Sequence, residues 1–439
     1  MCADSGNAVA LVMIPRLQFD IGWRDLKFAL GACFRAADAS EVADALEQSQ
    51  SSAGLALVCL SVRSGFDALL QALALPPGSE VVMTSITIPH MVELVETHGL
   101  RVVPVAVDPV SLSVTPEALE RAIGPATRLI VVSHLLGSRM PMAPIAAIAD
   151  RYGIPVVEDC AQAFQGDGYR GDAASAVAMF SFGPIKTATA LGGALLYCRD
   201  ARLAARVQQV LRAYQPLSRG WYLQRVLRFS LAKCLSLRPV FTLFVKACRL
   251  LGVSYDEWLR EWVRGFRGKA LVASIRRAPP AALIALLARR LSQETFPSVR
   301  ARQSQGEHLA RLLSSVDRPG RCAQAHSYWV FPILVQDPDA QAQALAGLGF
   351  DATPAASSLS QILPSDEGSR CRLRPLTGWL YLPQPGSMRA RDHERLAVAL
   401  QRDSRVYSIG DGWAEAGAAD AMLKTPSAKI RHPRRWFRR

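Results

Sequence analysis

The chain has nine cysteines and no CxxC pair among them. Scattered at positions 2, 33, 59, 160, 198, 234, 248, 322 and 371, and odd in number, they signal neither a disulfide framework nor a zinc site. A reducing cytosol is the compartment they fit. The N-terminus has no charged stretch followed by a long apolar run, so no secretory leader is expected. Acidic residues are scarce in two places. Residues 201–300 hold nineteen Lys/Arg against four Asp/Glu, and residues 424–439 hold seven basic residues and no acid. These regions carry +15 and +7 of a net charge of +14, leaving the remainder at −8. An asymmetry of this kind points to a local anionic partner more than to a generally basic protein. No uncharged run in the basic region approaches the roughly 18 residues that span a bilayer. No nucleic-acid recognition pattern accompanies the charge, so a specific nucleic-acid partner is not expected.

Half of the 439 residues are hydrophobic and a fifth are charged, the balance of a folded chain. The length suits two or three domains. Residues 1–55 read as an arm followed by a helix over 23–34. From residue 56 onward short apolar runs alternate with helices of about ten residues. Strands are expected at 56–60, 80–83, 102–107, 129–132, 156–158 and 177–182. Helices are expected at 66–75, 91–98, 116–123 and 144–152, the third capped by Thr115 with proline at its first position. The strand runs are apolar without alternation, the mark of a mostly parallel sheet covered on both faces, hence an α/β fold. Residues 360–375 read as a loop.

Ligands of such sheets sit beyond the carboxyl ends of the strands. Ser64-Gly65, His134, Asp159 and Ser181 all fall at or near such ends. The stretch 156–193 is the most informative. Two valines run into Glu158 and Asp159, then come Gln162 and a glycine-rich loop. A second apolar run contains Ser181, and Lys186 follows it as the only charged residue between Asp172 and Arg199. This set matches the needs of pyridoxal phosphate. The cofactor requires a lysine for its aldehyde and a carboxylate for its pyridine nitrogen. It also requires amides and hydroxyls for its phosphate, best at a helix start, and a cover for its ring. Lys186, Asp159, the Ser64-Gly65-Phe66 helix start with Ser181, and His90 are the respective candidates. Each has an ordinary alternative: a solvated lysine, a helix-capping aspartate, a common helix start, a loop histidine.

The order and wording of the motifs go further. VEDCAQAF, then SFGPIK, then LGG, preceded by the Ser-Gly helix start and HLLG, closely resembles the DegT/StrS family of fold-type I pyridoxal phosphate aminotransferases. The resemblance covers residues 56–200 and resumes over 296–400, where HSYWVFPILV and LYLPQP look like the family's small domain. It implies Lys186 as the Schiff-base lysine and proton shuttle, and Asp159 as partner of the pyridinium nitrogen. It implies Gln162 beside the ring hydroxyl, phosphate contacts from Ser64, Gly65 and Ser181, and a homodimer with sites at the subunit interface. The chain departs from the family at Phe66, where threonine is usual, at Ile88, where an aromatic residue often covers the ring, and at Ala190-Leu191, which replaces a Gly-Glu pair.

The expected layout is an arm at 1–55, a large cofactor-binding α/β domain at 56–212 and a basic helical insert at 213–295. A small α/β domain at 296–405 and a basic tail at 406–439, expected to be disordered, complete it. The insert mixes Trp, Phe and Leu with Arg225, Arg228, Lys233, Arg238, Lys246 and Arg249. Such a pattern suits a helix lying on a membrane interface, or equally a helical subdomain packed on the body or on a dimer partner. The tail, with Trp436 and Phe437 among its arginines, suits anionic headgroups. The leading expectation is amino transfer, with glutamate as the implied donor, to a keto sugar or related carbonyl compound. The product would feed polysaccharide, glycolipid or secondary-metabolite synthesis. The alternatives are a pyridoxal phosphate dehydratase, against which Lys186 argues, and a non-catalytic scaffold on the same fold at a membrane surface.

Overall fold

A computed structural model of the chain describes residues 12–16, 18–51, 55–253, 255, 271–354, 358–363 and 371–409. The tail over 424–439 and the stretch 410–421 before it lie outside the described residues.

Seven strands form the central sheet: β1 (Leu55–Cys59), β2 (Glu80–Thr84), β3 (Arg101–Val105), β4 (Thr127–Ser133), β5 (Val156–Asp159), β6 (Val177–Ser181) and β7 (Ala194–Cys198). Their order across the sheet is β1-β7-β6-β5-β4-β2-β3. Neighbours from β6 to β3 are parallel, and β7 runs antiparallel to both β6 and β1. β5 and β7 are buried at every residue, which is why their sequences are apolar without alternation.

Helices α1 (Trp23–Phe34) and α2 (Ala39–Gln50) cover one face, and α3 (Val62–Leu73) and α4 (Pro89–Thr97) the other. Then follow α5 (Pro116–Ala122), α6 (Ala143–Tyr152) and α7 (Ala201–Arg212). Thr115 caps α5 by accepting from the Ala118 amide, with Pro116 at the first helical position, as expected.

Three expectations need correction. Helix α3 begins at Val62, four residues before the expected start, because Ser61 and not Ser64 is its N-cap: the Ser61 hydroxyl accepts from the Ser64 amide. Gly65 therefore lies inside the helix, where a Cβ would come within 2.3 Å of Leu196, so its role is close helix–sheet packing. The segment 360–375 is no plain loop. Ser360–Leu363 pairs antiparallel with Arg372–Pro375 and extends the short strand Ile86–Thr87. Strand β7, directly after Gly192-Gly193, was not anticipated.

Over 213–295 the chain forms α8 (Arg219–Leu235), α9 (Arg238–Leu250) and α10 (Ala281–Leu291). Their inner faces pack on the body. Tyr222, Val226 and Phe229 of α8, and Leu283 and Leu287 of α10, share one core with α1, α2 and the sheet. Asp25 of α1 ties this layer down by accepting from Arg289 and Arg290, both at 2.9 Å. The outer side is different: Leu243 and Leu250 of α9 are 70% and 87% exposed.

Beyond α10, α11 (Pro297–Leu312), α12 (Pro338–Gly347) and α13 (Ala390–Gln401) accompany an antiparallel pair, β8 (Phe331–Leu334) and β9 (Trp379–Leu382). Leu309, Phe331, Ile333, Leu380 and Leu396 form a separate core there. The N-terminal arm joins it through Ile14, whose amide donates to the Gly349 carbonyl. All eight cysteines among the described residues are unpaired. Among the described residues no helix is long and apolar enough to cross a membrane.

Candidate active site

The carboxyl ends of β1, β4, β5 and β6 open on one cavity of about 590 Å³. Asp159, Gln162, Ser181, Lys186 and His90 all line it, so five of the eight expected site residues come together. The other three do not reach it. Ser64 is fully buried and bonded to the Ser61 hydroxyl at 2.9 Å, Gly65 packs on the sheet, and Phe66 sits in the core. The residues that the start of α3 presents to the cavity are Ser61, Val62 and Arg63.

Asp159 closes β5. Its Oδ1 accepts from the Ala161 amide at 3.0 Å, and among the described residues its Oδ2 accepts no hydrogen bond. Burial pushes its carboxyl up, against the pull of that amide and of the charges on Lys186 and Arg63. Lys186 lies in the turn after β6, its amide bonded to the Gly183 carbonyl. Burial pulls its ammonium down to about 7; Asp159 opposes the drop and Arg63 adds to it. Its Nζ stands 4.0 Å from the centre of the Trp329 ring, and the Trp329 indole donates to the Ile185 carbonyl at 2.8 Å. At neutral pH an amine so placed is available as a nucleophile or base.

Gln162 is oriented by the Leu136 amide, which donates to Oε1 at 2.8 Å and leaves the side-chain NH₂ as donor. His134, whose amide donates to the Asp159 carbonyl at 3.0 Å, accepts the Met140 amide on Nδ1, which places its proton on Nε2 for Glu158 at 2.8 Å. Burial disfavours the charge on Glu158, but bonds from His134, Ser175 and Tyr169 outweigh it and hold the carboxyl down to about 2. The ligand atoms of His134, Glu158 and Cys160 lie within 4.8 Å of one another. With its hydrogen bonds made, however, the group acts as a brace behind Asp159. His90, in the first turn of α4, lines the opposite wall, its pKa lowered by burial and by Arg63.

The loop 187–193 is pinned from four sides. Asp20 accepts the Ala188 amide at 2.7 Å, and Arg302 reaches Thr187 Oγ1 at 3.1 Å. Tyr222 donates to the Ala190 carbonyl at 2.8 Å, and Arg225 donates to the Leu191 carbonyl. Gly137 lets segment 327–329 close over the site. Its φ is +93°, and a Cβ there would lie 2.8 Å from the Trp329 amide nitrogen. Sequence reasoning missed Trp329, Trp221, Arg225, Arg16 and Arg63 as cavity residues. Trp329 stood within HSYWVFPILV, and Arg63 directly before the Ser-Gly pair; Arg225 carried no local signal.

A desolvated amine and a carboxylate thus stand at neighbouring strand ends of a mostly parallel sheet, with a helix start alongside, in an α/β architecture of fold type I. Residues 41–218 match the model of the DegT/DnrJ/EryC1/StrS aminotransferase family. Over 161 residues the chain is 38% identical to UDP-2-acetamido-2-deoxy-3-oxo-D-glucuronate aminotransferase of Pseudomonas aeruginosa, a match covering 35% of this chain and 45% of that protein. The chain thus spans less than half the length of that relative. Among solved structures it is similar to the aminotransferase TlmJ from Streptoalloteichus hindustanus (TM-score 0.60, 21% identity, covering 88% of this chain and 97% of that one). It is also similar to NtdA from Bacillus subtilis with bound cofactor PMP (TM-score 0.61, 18% identity, covering 89% and 84%). These two likenesses are of fold.

The geometry sets an expectation for Lys186. In the protein without added cofactor, labelling by trinitrobenzenesulfonate, followed by peptide mass spectrometry, titrates at this lysine with a midpoint near pH 7. Asp159→Asn moves the midpoint lower still, because a negative charge that raised it is gone. A midpoint near the ordinary 10.5 contradicts the assigned burial of the amine.

Proposed function

We propose that this protein is a pyridoxal phosphate-dependent aminotransferase that moves an amino group from glutamate to a nucleotide-linked keto sugar or related carbonyl compound. The observation that carries the reading is Lys186, with its ammonium drawn down to about 7, in the same cavity as Asp159, whose Oδ2 makes no other bond among the described residues. The residues fit the cofactor. Asp159 Oδ2 would hold the pyridinium proton, the Gln162 NH₂ would donate to the ring hydroxyl, and Ser181 with the start of α3 would receive the phosphate. Bound there, the cofactor supplies an electron sink for deprotonating the carbon that bears the amino group. Lys186 Nζ takes that proton and returns it, for which a pKa near operating pH is the effective value. Trp329 and the C-terminal wall, including Tyr381 and Gln384, keep water from the amine. Support for a keto-sugar acceptor comes from the Pseudomonas relative, whose name specifies a 3-oxo sugar acid. A homodimer in the cytoplasm, its second copy completing the cavity, belongs to the same proposal. Loaded with pyridoxal phosphate, the protein loses its yellow colour on adding glutamate and releases one 2-oxoglutarate per site; Lys186→Ala does so at least about 100-fold more slowly. Colour that persists with glutamate and other common amino acids alike rules this reading out.

A second property concerns the outer side of α8 and α9. Leu227 and Leu231 of α8 and Leu243 and Leu250 of α9 are exposed, as are Lys246 and Arg249 of α9. Apolar and basic residues interleaved on surface helices suit the interface of an anionic membrane. We place this face against phosphatidylserine- or phosphatidylglycerol-type lipid, with the tail over 424–439 as a second basic contact. The full chain floats with anionic liposomes, a Leu243→Asp/Leu250→Asp variant floats several-fold less, and neither floats with neutral ones. Absence of flotation by the full chain, or a face that instead forms a salt-resistant dimer contact, removes the membrane assignment.

A further inference from the structure

Trp221 and Arg225, one turn apart on α8, both line the cavity, although they lie beyond the segment that matches the family. Arg225 donates from Nε to the Leu191 carbonyl, and its guanidinium lies 5.3 Å and 5.4 Å from the ring centres of Trp221 and Phe229. Burial pulls its pKa down to about 10, so it stays cationic at neutral pH. Other arginines of the same region are matched by acids: Arg238 by Asp392, Arg276 by Asp67, and Arg289 and Arg290 by Asp25. Among the described residues Arg225 has no such match; the ionisable groups acting on it are Tyr222 and Arg228. A desolvated cation without a counter-charge is costly, and an anion in the cavity would relieve that cost.

The position narrows which anion. Leu191 and Gly192, against which Arg225 rests, belong to the turn that joins β6 to β7. The Gly193 amide donates to the Leu60 carbonyl at 2.9 Å, next to the N-cap Ser61. The Phe182 amide donates to the Gly193 carbonyl at 3.0 Å, next to Ser181. A Cβ on Gly192 would lie 3.9 Å from Arg225 Nε. The cation therefore lines the same cavity as the two hydroxyl residues and the helix start that suit a phosphate ester, on a turn bonded to the backbone next to both.

We infer that Arg225 is a phosphate anchor of this site, binding the phosphate of pyridoxal phosphate together with Ser61, the first turn of α3 and Ser181. This rests on the cofactor assignment made above. It also makes the basic insert part of the cofactor pocket, in addition to any role at a membrane.

Affinity is the readout. Pyridoxal phosphate and unphosphorylated pyridoxal are each titrated, by absorbance, into the full-length protein and into Arg225→Met and Arg225→Lys. Thermal unfolding confirms that each variant is folded. Arg225→Met weakens pyridoxal phosphate about 10-fold or more beyond any weakening of pyridoxal, and Arg225→Lys recovers part of that difference. Equal weakening of both ligands, or no weakening of the phosphorylated one, overturns the assignment. If only competition by uridine diphosphate is lost, Arg225 serves a substrate phosphate and the cofactor assignment of this residue falls. Failure of the unsubstituted protein to take up pyridoxal phosphate would instead overturn the functional reading, and this inference with it.

Discussion

A lysine amine and a carboxylate are held out of water in one cavity without a direct ion pair between them, and much of the surrounding structure serves that arrangement. Desolvation disfavours the charged form of both Lys186 and Asp159, and each relieves the other only through space. Such a pair persists only if its supports are rigid. Behind Asp159 the brace is His134, Glu158 and Tyr169, a closed set of hydrogen bonds. Behind Lys186 it is the loop 187–193, tied to Asp20 in the arm, Arg302 on α11, and Tyr222 and Arg225 on α8. Distant parts of the chain thus converge on a few backbone groups.

The same supports explain why the insert packs where it does. α8 presents Tyr222, Val226 and Phe229 to the core shared by α1 and the sheet, and from that face Tyr222 and Arg225 reach the loop. The packed-subdomain expectation accounts for the inner face of the insert; the membrane-interface expectation concerns the outer face, where Leu243 and Leu250 stand in solvent.

Much of the sheet was legible because a buried parallel strand has few ways to be written. Val156–Asp159 and Val177–Ser181 are buried runs that end in a residue lining the cavity, and α5, earlier in the chain, carries an ordinary Thr115 cap. Asp159, Gln162, Ser181 and Lys186 were legible for the same reason: strand ends of one sheet converge by topology. The start of α3 was misplaced because two serines compete as caps three residues apart. The bond from the Ser64 amide to the Ser61 hydroxyl shows that the earlier one wins. The pairing of 360–363 with 372–375 was hidden because short polar strands of low burial look like loops. Trp329, Trp221 and Arg225 were out of reach because they join the cavity from segments 143, 35 and 39 positions past Lys186, through contacts that no local pattern encodes.

The central claim is that Lys186 is the residue to which the cofactor attaches. Borohydride reduction of the pyridoxal phosphate-loaded protein, followed by proteolysis and peptide mass spectrometry, tests it directly. The account predicts a phosphopyridoxyl adduct on the peptide containing Lys186 and on no other. An adduct on a different lysine, or none at all in protein that has bound the cofactor, would contradict it.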